Sequence, residues 1–301
     1  MIAYLDLVNE ITAPLAAMPV VSLGAPPLAP LGVPLESARV MLVNSAGIHL
    51  RSDPPFGFVD DLSYRLLDQS LGQSAMRPCH PSPIRRPGRL DLNVVYPYER
   101  LAELAASNAI AGPTEVHLSM LGAVKKITAL VTDLGPAMAS EAVTAGADVV
   151  MLVPLCPACH QTIGILARVI EAAGVPTVTV TGARDITERV RPPRAAYLDY
   201  PLGYSLGRPF EHEEQRSIVL DVLRLVGEEA APGEIVDLDY RWPDDGWETA
   251  VRKTYWDDRE TVIGQRGAEF APDGTHLAAA EVAAVESLLG GAPLLAGEAS
   301  G

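Results

Sequence analysis

Residues 148–160 read Asp148-Val-Val-Met-Leu-Val-Pro-Leu-Cys156-Pro-Ala-Cys159-His160. The apolar run before Pro154 is short and unbroken, which is typical of a strand buried on both faces of a parallel sheet. Pro157 suits the first turn of a helix, because the N–H that proline lacks has no intrahelical partner there. The stretch therefore predicts a buried strand, a tight turn and a helix that begins at Pro157.

The same alternation of strand and helix continues on both sides of this unit. Elements of this size in alternation predict a mostly parallel sheet with helices on both faces, in Rossmann-like layers. We therefore expect an α/β fold. The expected strands span 38–44, 115–120, 127–132, 148–154 and 176–181, and the expected helices span 98–107, 135–145, 157–173, 212–226 and 276–290.

Changes in composition divide the chain into three parts. Residues 1–37 are rich in proline, so we expect an extended arm that lies on the domain or on a partner. Residues 38–232 would form an α/β catalytic domain, with irregular segments over 51–90 and 192–210. Residues 233–301 carry acidic clusters and all three tryptophans. We expect them to form an extension that packs as an appendage with a terminal helix, or alternatively an interaction surface or lid.

Charge and composition exclude several classes of function. The formal net charge of −15 disfavours binding to nucleic acid or to an anionic membrane surface, because both require basic patches. No apolar run approaches the roughly 20 residues that span a bilayer, and we expect no secretory signal. Three cysteines in 301 residues do not form a disulfide framework, so we expect a cytoplasmic protein with free thiols.

The Cys156–Cys159 pair is the strongest chemical signal in the chain. Cys156 would lie near the N-cap of its helix, at the carboxyl end of a strand, where open α/β sheets bind their ligands. The positive end of the helix dipole stabilises a thiolate, which is the nucleophilic form of cysteine. Cys159 lies one turn further on, so it could resolve an adduct on Cys156 as a disulfide. His160 either protonates a leaving group or points away.

Metal binding and an inert core are the competing interpretations of the same residues. One CxxC pair supplies two ligands, whereas a closed zinc site needs four. The further candidates are Cys79, His80 and His160, which with Cys156 and Cys159 could hold zinc or iron for lyase, hydrolase or redox chemistry. Cysteines are also common as unreactive core residues.

Four segments, which cover about residues 38–226, form a wider pattern. They are Val43-Asn-Ser-Ala-Gly47-Ile-His49-Leu with Asp53, Phe56, Asp61, Ser63 and Arg65; Asp91-Leu-Asn93-Val-Val-Tyr-Pro97 with Arg100 and Leu101; Cys156-Pro-Ala-Cys159-His160 through Glu171-Ala-Ala-Gly174-Val-Pro176-Thr177; and Tyr200-Pro201-Leu-Gly203 with Gly207-Arg-Pro209. In order and spacing they resemble the selenoprotein B family of glycine, sarcosine, betaine and D-proline reductases, and within it the selenocysteine-bearing subunit of D-proline reductase.

The resemblance implies a reaction and a set of roles. In this family the position of Cys156 is commonly selenocysteine, and it attacks a substrate that is activated elsewhere, in the proline enzyme by a pyruvoyl group on a partner subunit. The implied function is reductive cleavage of a carbon–heteroatom bond in a small amino-acid-like substrate. Cys156 would attack and Cys159 would resolve. A thiol is less ionised than a selenol at neutral pH, and its thiolate is a poorer nucleophile than a selenolate.

The resemblance also suggests residues that bind the substrate. Arg65 is a candidate for a substrate carboxylate, since a guanidinium forms two parallel hydrogen bonds with one. Asp91 and Asn93 would orient a substrate amine or cap a helix. Residues that follow the first strand could face the same sheet edge as Cys156; these are His49, Asp61, Ser63 and Arg65.

We expect no cofactor in this chain, an external dithiol or thioredoxin-like protein as electron donor, and either a second reductase subunit or a homo-oligomer. Two further hypotheses remain open. The first is a cofactor-independent isomerase with thiols as proton-transfer bases, which would need Cys79 to approach Cys156 across a cleft. The second is a non-catalytic partner-binding subunit.

Overall fold

The computed structural model describes residues 20–57, 61–228, 231–243 and 279–290. Within these ranges it contains ten strands, seven α-helices and several short 3-10 turns. The strands are β1 (Arg39–Asn44), β2 (Ile48–Leu50), β3 (Tyr64–Asp68), β4 (Met76–Pro78), β5 (Gly112–Pro113), β6 (Val116–Met120), β7 (Val149–Val153), β8 (Thr177–Thr181), β9 (Arg194–Tyr197) and β10 (Glu234–Asp237). The helices are α1 (Arg86–Leu90), α2 (Tyr98–Ala106), α3 (Gly135–Thr144), α4 (Pro157–Ala172), α5 (Arg184–Val190), α6 (His212–Arg224) and α7 (Ala279–Leu289).

One large sheet organises the chain. Its strand order is β10-β9-β8-β7-β1-β6-β3, and β5 also pairs with β1. All of these pairings are parallel except that of β3 with β6. The strands of this sheet that follow β1 in the chain, β3, β5 and β6, lie on one side of β1. The strands that follow β7, namely β8, β9 and β10, lie on the opposite side of β7. A crevice therefore opens between the carboxyl ends of β1 and β7, and such a switch point is where open α/β sheets bind ligands.

Helices pack in two groups around this sheet. α3, α4 and α5 contact one another in sequence, and α2 contacts α6. All five residues of β7 are buried, and so are the last five of β1, which explains their continuous apolar sequence. The predicted fold class, a mainly parallel sheet in Rossmann-like layers, is confirmed.

The predicted strand over 127–132 is wrong. The structure places a π-helical turn at Leu130–Leu134, which continues directly into α3. Its buried apolar residues are Ile127, Leu130 and Leu134, which recur at a helical spacing, while Thr132 is exposed. A short apolar run fits either a strand or a helix. Here the buried residues recur every three to four positions, which is the spacing of a helix.

Two segments that were expected to be irregular contain regular structure. Residues 51–90 include β3, β4 and α1, and β9 lies within 192–210. β4 pairs with β2 in a separate two-stranded antiparallel sheet beside the main one. β10 lies beyond the predicted boundary at residue 232 and extends the main sheet next to β9.

The described part of the N-terminal arm lies against α4 and α7. Val21 is fully buried, and its N–H donates to the side chain of Gln161 at 2.8 Å. The buried guanidinium of Arg168 donates to the carbonyls of Gly24 and Ala25, and also to the carbonyl of Leu289 at the end of α7. One side chain of α4 thus forms hydrogen bonds with main-chain carbonyls of both the N-terminal arm and the end of α7. Residues 1–19 lie outside the described ranges.

Among the helices that the structure describes, none has the length and apolarity that crossing a bilayer requires.

Candidate active site

The site begins with Ser45, directly after β1. Its N–H donates to the carbonyl of Val153 at the end of β7, at 3.2 Å. Its hydroxyl oxygen accepts the N–H of Leu155 at 3.0 Å. Ser45 therefore joins the ends of the two strands that flank the switch point, and it fixes the turn that leads into α4.

Cys156 is the N-cap residue of α4, and Cys159 lies in the first turn. Both residues are buried, with 6% of Cys156 and none of Cys159 exposed. Their sulfurs lie 2.9 Å apart. This separation is longer than the S–S bond of about 2.05 Å in a disulfide, so the pair is a dithiol with a close sulfur–sulfur hydrogen bond.

His80 completes the group, and it reaches the thiols from the other side of the crevice. Its Nε2 lies 3.3 Å from the sulfur of Cys159. Its Nδ1 accepts the N–H of Ser82 at 3.1 Å, so in the neutral ring the proton belongs to Nε2. The imidazole therefore donates to Cys159. The backbone of residues 79 and 80 pairs with that of Gly47 and Ala46, which holds His80 beside the end of β1.

The surroundings of the two thiols shift their pKa values in opposite directions. Burial alone would raise the pKa of Cys159. The hydrogen bond from Cys156, the electrostatic attraction of His80 and the hydrogen bonds from His80 and Ser45 outweigh burial and hold that pKa well below its usual range. Burial raises the pKa of Cys156 well above its usual range, and the neighbouring Cys159 sulfur raises it further. The backbone N–H groups of Ala158 and Cys159 act against this rise. The arrangement favours one thiolate and one thiol over two thiols.

Gly122 makes this packing sterically possible. A Cβ atom at this position would lie 2.4 Å from the sulfur of Cys159 and 2.8 Å from the Cβ of Ser45. Both contacts are shorter than real Cβ atoms show, so any side chain at residue 122 would displace the thiol.

No protein-family model matches the chain, and no solved structure matches it. Among curated proteins the chain is similar to the D-proline reductase subunit gamma of Acetoanaerobium sticklandii. The two are 26% identical over 236 residues, which are 78% of this chain and 95% of that protein. The chain is a distant homologue of the proline and glycine reductase family. This confirms the relationship that the four sequence segments indicate.

His160, predicted to assist the thiols, binds backbone groups with both ring nitrogens. Its Nδ1 lies 2.8 Å from the carbonyl of Cys156, and its Nε2 accepts the N–H of Gly182 at 3.2 Å. The acceptor role of Nε2 places the proton on Nδ1, and burial lowers the pKa of the ring. His160 thus ties the start of α4 to the loop after β8. The side chain that donates to a thiol is His80.

The residues predicted to bind substrate after the first strand gather around β2 and β4. Asp61 accepts the N–H of Gly57 and both the N–H and hydroxyl of Ser63. Arg65 donates to the Ser63 hydroxyl at 2.9 Å, and its guanidinium stacks 4.3 Å from the ring of Phe56. These side chains surround the third thiol, Cys79, whose pKa is raised mainly by burial and is lowered in part by Arg77 and Arg65.

His49 belongs to the same group. Its Nδ1 lies 2.7 Å from the carbonyl of Leu50, and its Nε2 accepts from Arg77 at 3.4 Å. Burial lowers its pKa, and Arg77 adds to the effect. The group around Cys79 is connected to the thiol pair through His80, which follows Cys79 in the chain and contacts Cys159, but the polar atoms of the group are largely bound to one another.

Asp91 and Asn93 lie in a separate place, at the turn before α2. The two oxygens of Asp91 accept from the N–H of Asn93, the N–H of Phe210 and the side-chain amide of Gln215. The amide of Asn93 donates to Asp91 and to Glu99. Their role in substrate binding stays a prediction, and in the structure both cap and join loops.

Sequence reasoning gave Ser45 and Gly122 no role and considered His80 only as a metal ligand. Ser45 lies inside the Val43–Gly47 segment, and His80 follows Cys79 directly. A histidine and a serine after a strand end were visible in the sequence. What was not visible is that the antiparallel pairing of residues 79 and 80 with 47 and 46 delivers them to Cys159.

Proposed function

We propose that this protein is a thiol-dependent reductase, or a subunit of one, that cleaves a carbon–heteroatom bond in a small amino-acid-like substrate. Cys156 is the nucleophile and Cys159 is the resolving thiol. The observation that carries the proposal is the 2.9 Å contact of two free thiols at the start of a helix, at the switch point of the sheet. The distant relationship to a D-proline reductase subunit supports the reductase-type role.

The order of roles follows from exposure and from charge. Cys156 is the outer of the two residues, since Cys159 is fully buried. Cys159 is the more acidic thiol because His80 and Ser45 both donate to it. The Cys159 thiolate, 2.9 Å away, is the general base that accepts the Cys156 proton while the Cys156 sulfur attacks at the helix N-terminus.

The reaction then balances in two steps. The Cys156 sulfur attacks an activated carbon as its proton passes to Cys159, so a C–S bond forms, the carbon–heteroatom bond breaks, and the heteroatom leaves with that proton, which returns Cys159 to the thiolate. The Cys159 thiolate next attacks the sulfur of Cys156, the C–S bond breaks and its electron pair stays on the carbon, which takes a proton. The substrate gains two electrons and the protein is left with a Cys156–Cys159 disulfide.

This cycle requires a reductant and an activated substrate. An external dithiol or a thioredoxin-like protein would reduce the disulfide by thiol–disulfide exchange. A second reductase subunit would supply activation, as the subunit designation of the relative suggests, or a homo-oligomer would form the active unit. Free thiols and the absence of a disulfide among the described cysteines suit a cytoplasmic location.

Phenacyl bromide tests the two steps on this chain alone, because its carbon is already activated and needs no partner. In the Cys79→Ser background, the protein should convert it to acetophenone while one Cys156–Cys159 disulfide forms per turnover. Dithiothreitol should restore the dithiol. Gas chromatography measures the product, and intact mass spectrometry follows the protein.

Single variants assign the roles in that experiment. Cys159→Ser should stop at a covalent adduct on Cys156 and release no acetophenone, while Cys156→Ser should form none. Cys79→Ser is the matched control, since it removes a thiol outside the pair. Acetophenone formation by Cys156→Ser at the rate of the background protein would refute the proposal.

A zinc or iron site is the second candidate, because one observation favours it. Within the described residues, the ligand atoms of His80, Cys156 and Cys159 lie within 4.8 Å of one another, and three protein ligands are the usual number in catalytic zinc sites. Two features oppose it. Thiolates bound to one tetrahedral zinc at about 2.3 Å would lie about 3.8 Å apart, and the Ser82 N–H holds the His80 proton on the atom that would bind the metal. Elemental analysis of the purified protein decides: a stoichiometric metal that is lost in Cys159→Ser would favour the metal site over the reductase.

A further inference from the structure

A second cavity lies away from the thiol pair, between β4, α1 and the start of α6. Its volume is about 580 Å³, which is in the range of ligand pockets of roughly 300–1,000 Å³. None of the residues that line it is Cys156, Cys159 or His80. The thiol chemistry of the proposed reductase does not use this cavity, although Asp91 and Asn93, which the family resemblance suggests as substrate-binding residues, are part of its wall.

Three guanidinium groups line the cavity. Arg51 uses only its Nε, which donates to the carbonyl of Ser74, and Arg77 uses only its Nε, which donates to His49. Within the described part of the chain, neither of them nor Arg89 forms an ion pair. All three arginines are exposed residues. Such a cluster is a local exception on a chain with a formal charge of −15.

The acidic residues of the cavity wall, Asp91 and Glu99, form no ion pair with these three arginines. Both oxygens of Asp91 accept hydrogen bonds from Asn93, Phe210 and Gln215. Glu99 accepts from Asn93 and pairs with Arg100. These carboxylates are bound to internal donors, whereas the three arginines of the wall have no acidic partner among the described residues.

The cavity also has an apolar rim. Leu90 is 58% exposed and Phe210 is 66% exposed, and both belong to the lining of the cavity. Phe210 has a φ of 67°, in the left-handed region that an aromatic residue rarely adopts. Its N–H is held there by the carboxylate of Asp91 at 2.8 Å. Backbone strain of this kind is retained mainly at binding and functional sites.

We propose that this cavity binds a small molecule with a carboxylate head and an apolar body. The carboxylate lies against Arg77 and Arg89, since guanidinium groups bind carboxylates with two parallel hydrogen bonds. The apolar body lies against Leu90 and Phe210. The volume requires more than a bare anion to fill it. This site is independent of the thiol chemistry, because no thiol lines it.

Isothermal titration calorimetry on the full-length protein tests the proposal. The probes are phenylacetate, 3-phenylpropionate and 4-phenylbutyrate, each compared with its uncharged carboxamide, and inorganic phosphate as a bare anion. We expect saturable binding of at least one carboxylate, with its carboxamide and inorganic phosphate each at least tenfold weaker. The Cys156→Ser variant should bind the same carboxylate with unchanged affinity, which separates this site from the reductase proposal.

Variants locate the binding. Arg89→Gln should weaken carboxylate binding about tenfold or more, and Arg77→Gln should do the same. Arg89 is exposed and makes no ion pair among the described residues, so this variant keeps the fold if Arg77→Gln does not. Arg224→Gln, on the last turn of α6, is the matched control and should bind as the parent does. Failure of all three carboxylates to bind, equal binding of the carboxamide or of phosphate, or unchanged affinity in Arg89→Gln would each overturn the proposal.

Discussion

The two ends of helix α4 carry buried polar groups of opposite character. At the C-terminal end, Glu171 accepts hydrogen bonds from Ala29, Thr177 and Arg194 at 2.5–2.7 Å. Both carboxylate oxygens of Glu171 therefore have donors, and these hydrogen bonds join the N-terminal arm, β8 and β9 to α4. At the N-terminal end, Cys156 and Cys159 share a single favourable site for negative charge.

The difference shows how burial can serve structure or chemistry. A buried carboxylate with a full set of donors keeps one protonation state, so its contribution is to stability. Two buried thiols 2.9 Å apart cannot both ionise, so the pair holds one proton, which lies on Cys156 and can be transferred in a reaction. The comparison predicts that mutation at one end changes folding, and mutation at the other changes the thiol titration.

The largest expected effect is at the structural end. Glu171→Ala leaves Arg194 buried without its ion-pair partner and removes the acceptor for the N–H groups of Ala29 and Thr177. Breaking a buried pair in this way costs about 3–5 kcal/mol of unfolding free energy. Urea denaturation followed by circular dichroism measures the loss.

The matched control is Glu213→Ala, which removes an exposed carboxylate that pairs with Arg216 on α6. It should change the unfolding free energy by no more than about 0.5 kcal/mol. Equal stability of Glu171→Ala and Glu213→Ala would contradict the structural assignment of the Glu171 junction.

A smaller effect is expected from His80→Ala at the chemical end. The Nε2–H of His80 stabilises the Cys159 thiolate, so its removal should raise the pH midpoint of thiolate formation. The sign is fixed, because loss of a donor to the anion favours the thiol. Absorbance of the thiolate at 240 nm, recorded against pH below the tyrosine titration, gives the midpoint.

His212→Ala is the control for that titration, because His212 lies at the start of α6 and lines the second cavity instead of the thiol pair. Its midpoint should coincide with that of the parent protein. An unchanged midpoint in folded His80→Ala would show that the imidazole does not act on Cys159.

The smallest effect is expected from Ser45→Ala. The hydroxyl of Ser45 is one of several donors to Cys159, and it is a neutral one. Its removal should raise the pH midpoint of thiolate formation by less than His80→Ala does. Ser45→Thr keeps the hydroxyl and should restore most of the difference if its methyl group is accommodated. The same titration at 240 nm ranks the three proteins, and a midpoint of Ser45→Ala above that of His80→Ala would reverse the proposed order of donors.

Sequence patterns determined the scaffold and the position of the thiols. The buried runs of β1, β7 and β8 and the proline at the start of α4 are local features, because unbroken apolar residues and a missing N–H act within a few residues. The CxxC spacing is also a local feature, because a separation of three residues brings both sulfurs to the same turn of a helix. The strand predicted over 127–132 was wrong because a short apolar run does not by itself distinguish a strand from a helical turn.

Only the tertiary structure decided what the thiols touch. His80 lies 79 residues before Cys159, and it arrives there because residues 79 and 80 pair with the backbone after β1. Ser45 meets Leu155 and Cys159 because β1 and β7 are neighbours in the sheet. The acidity of each sulfur depends on these long-range donors and on burial, and neither quantity is encoded in the spacing of two cysteines.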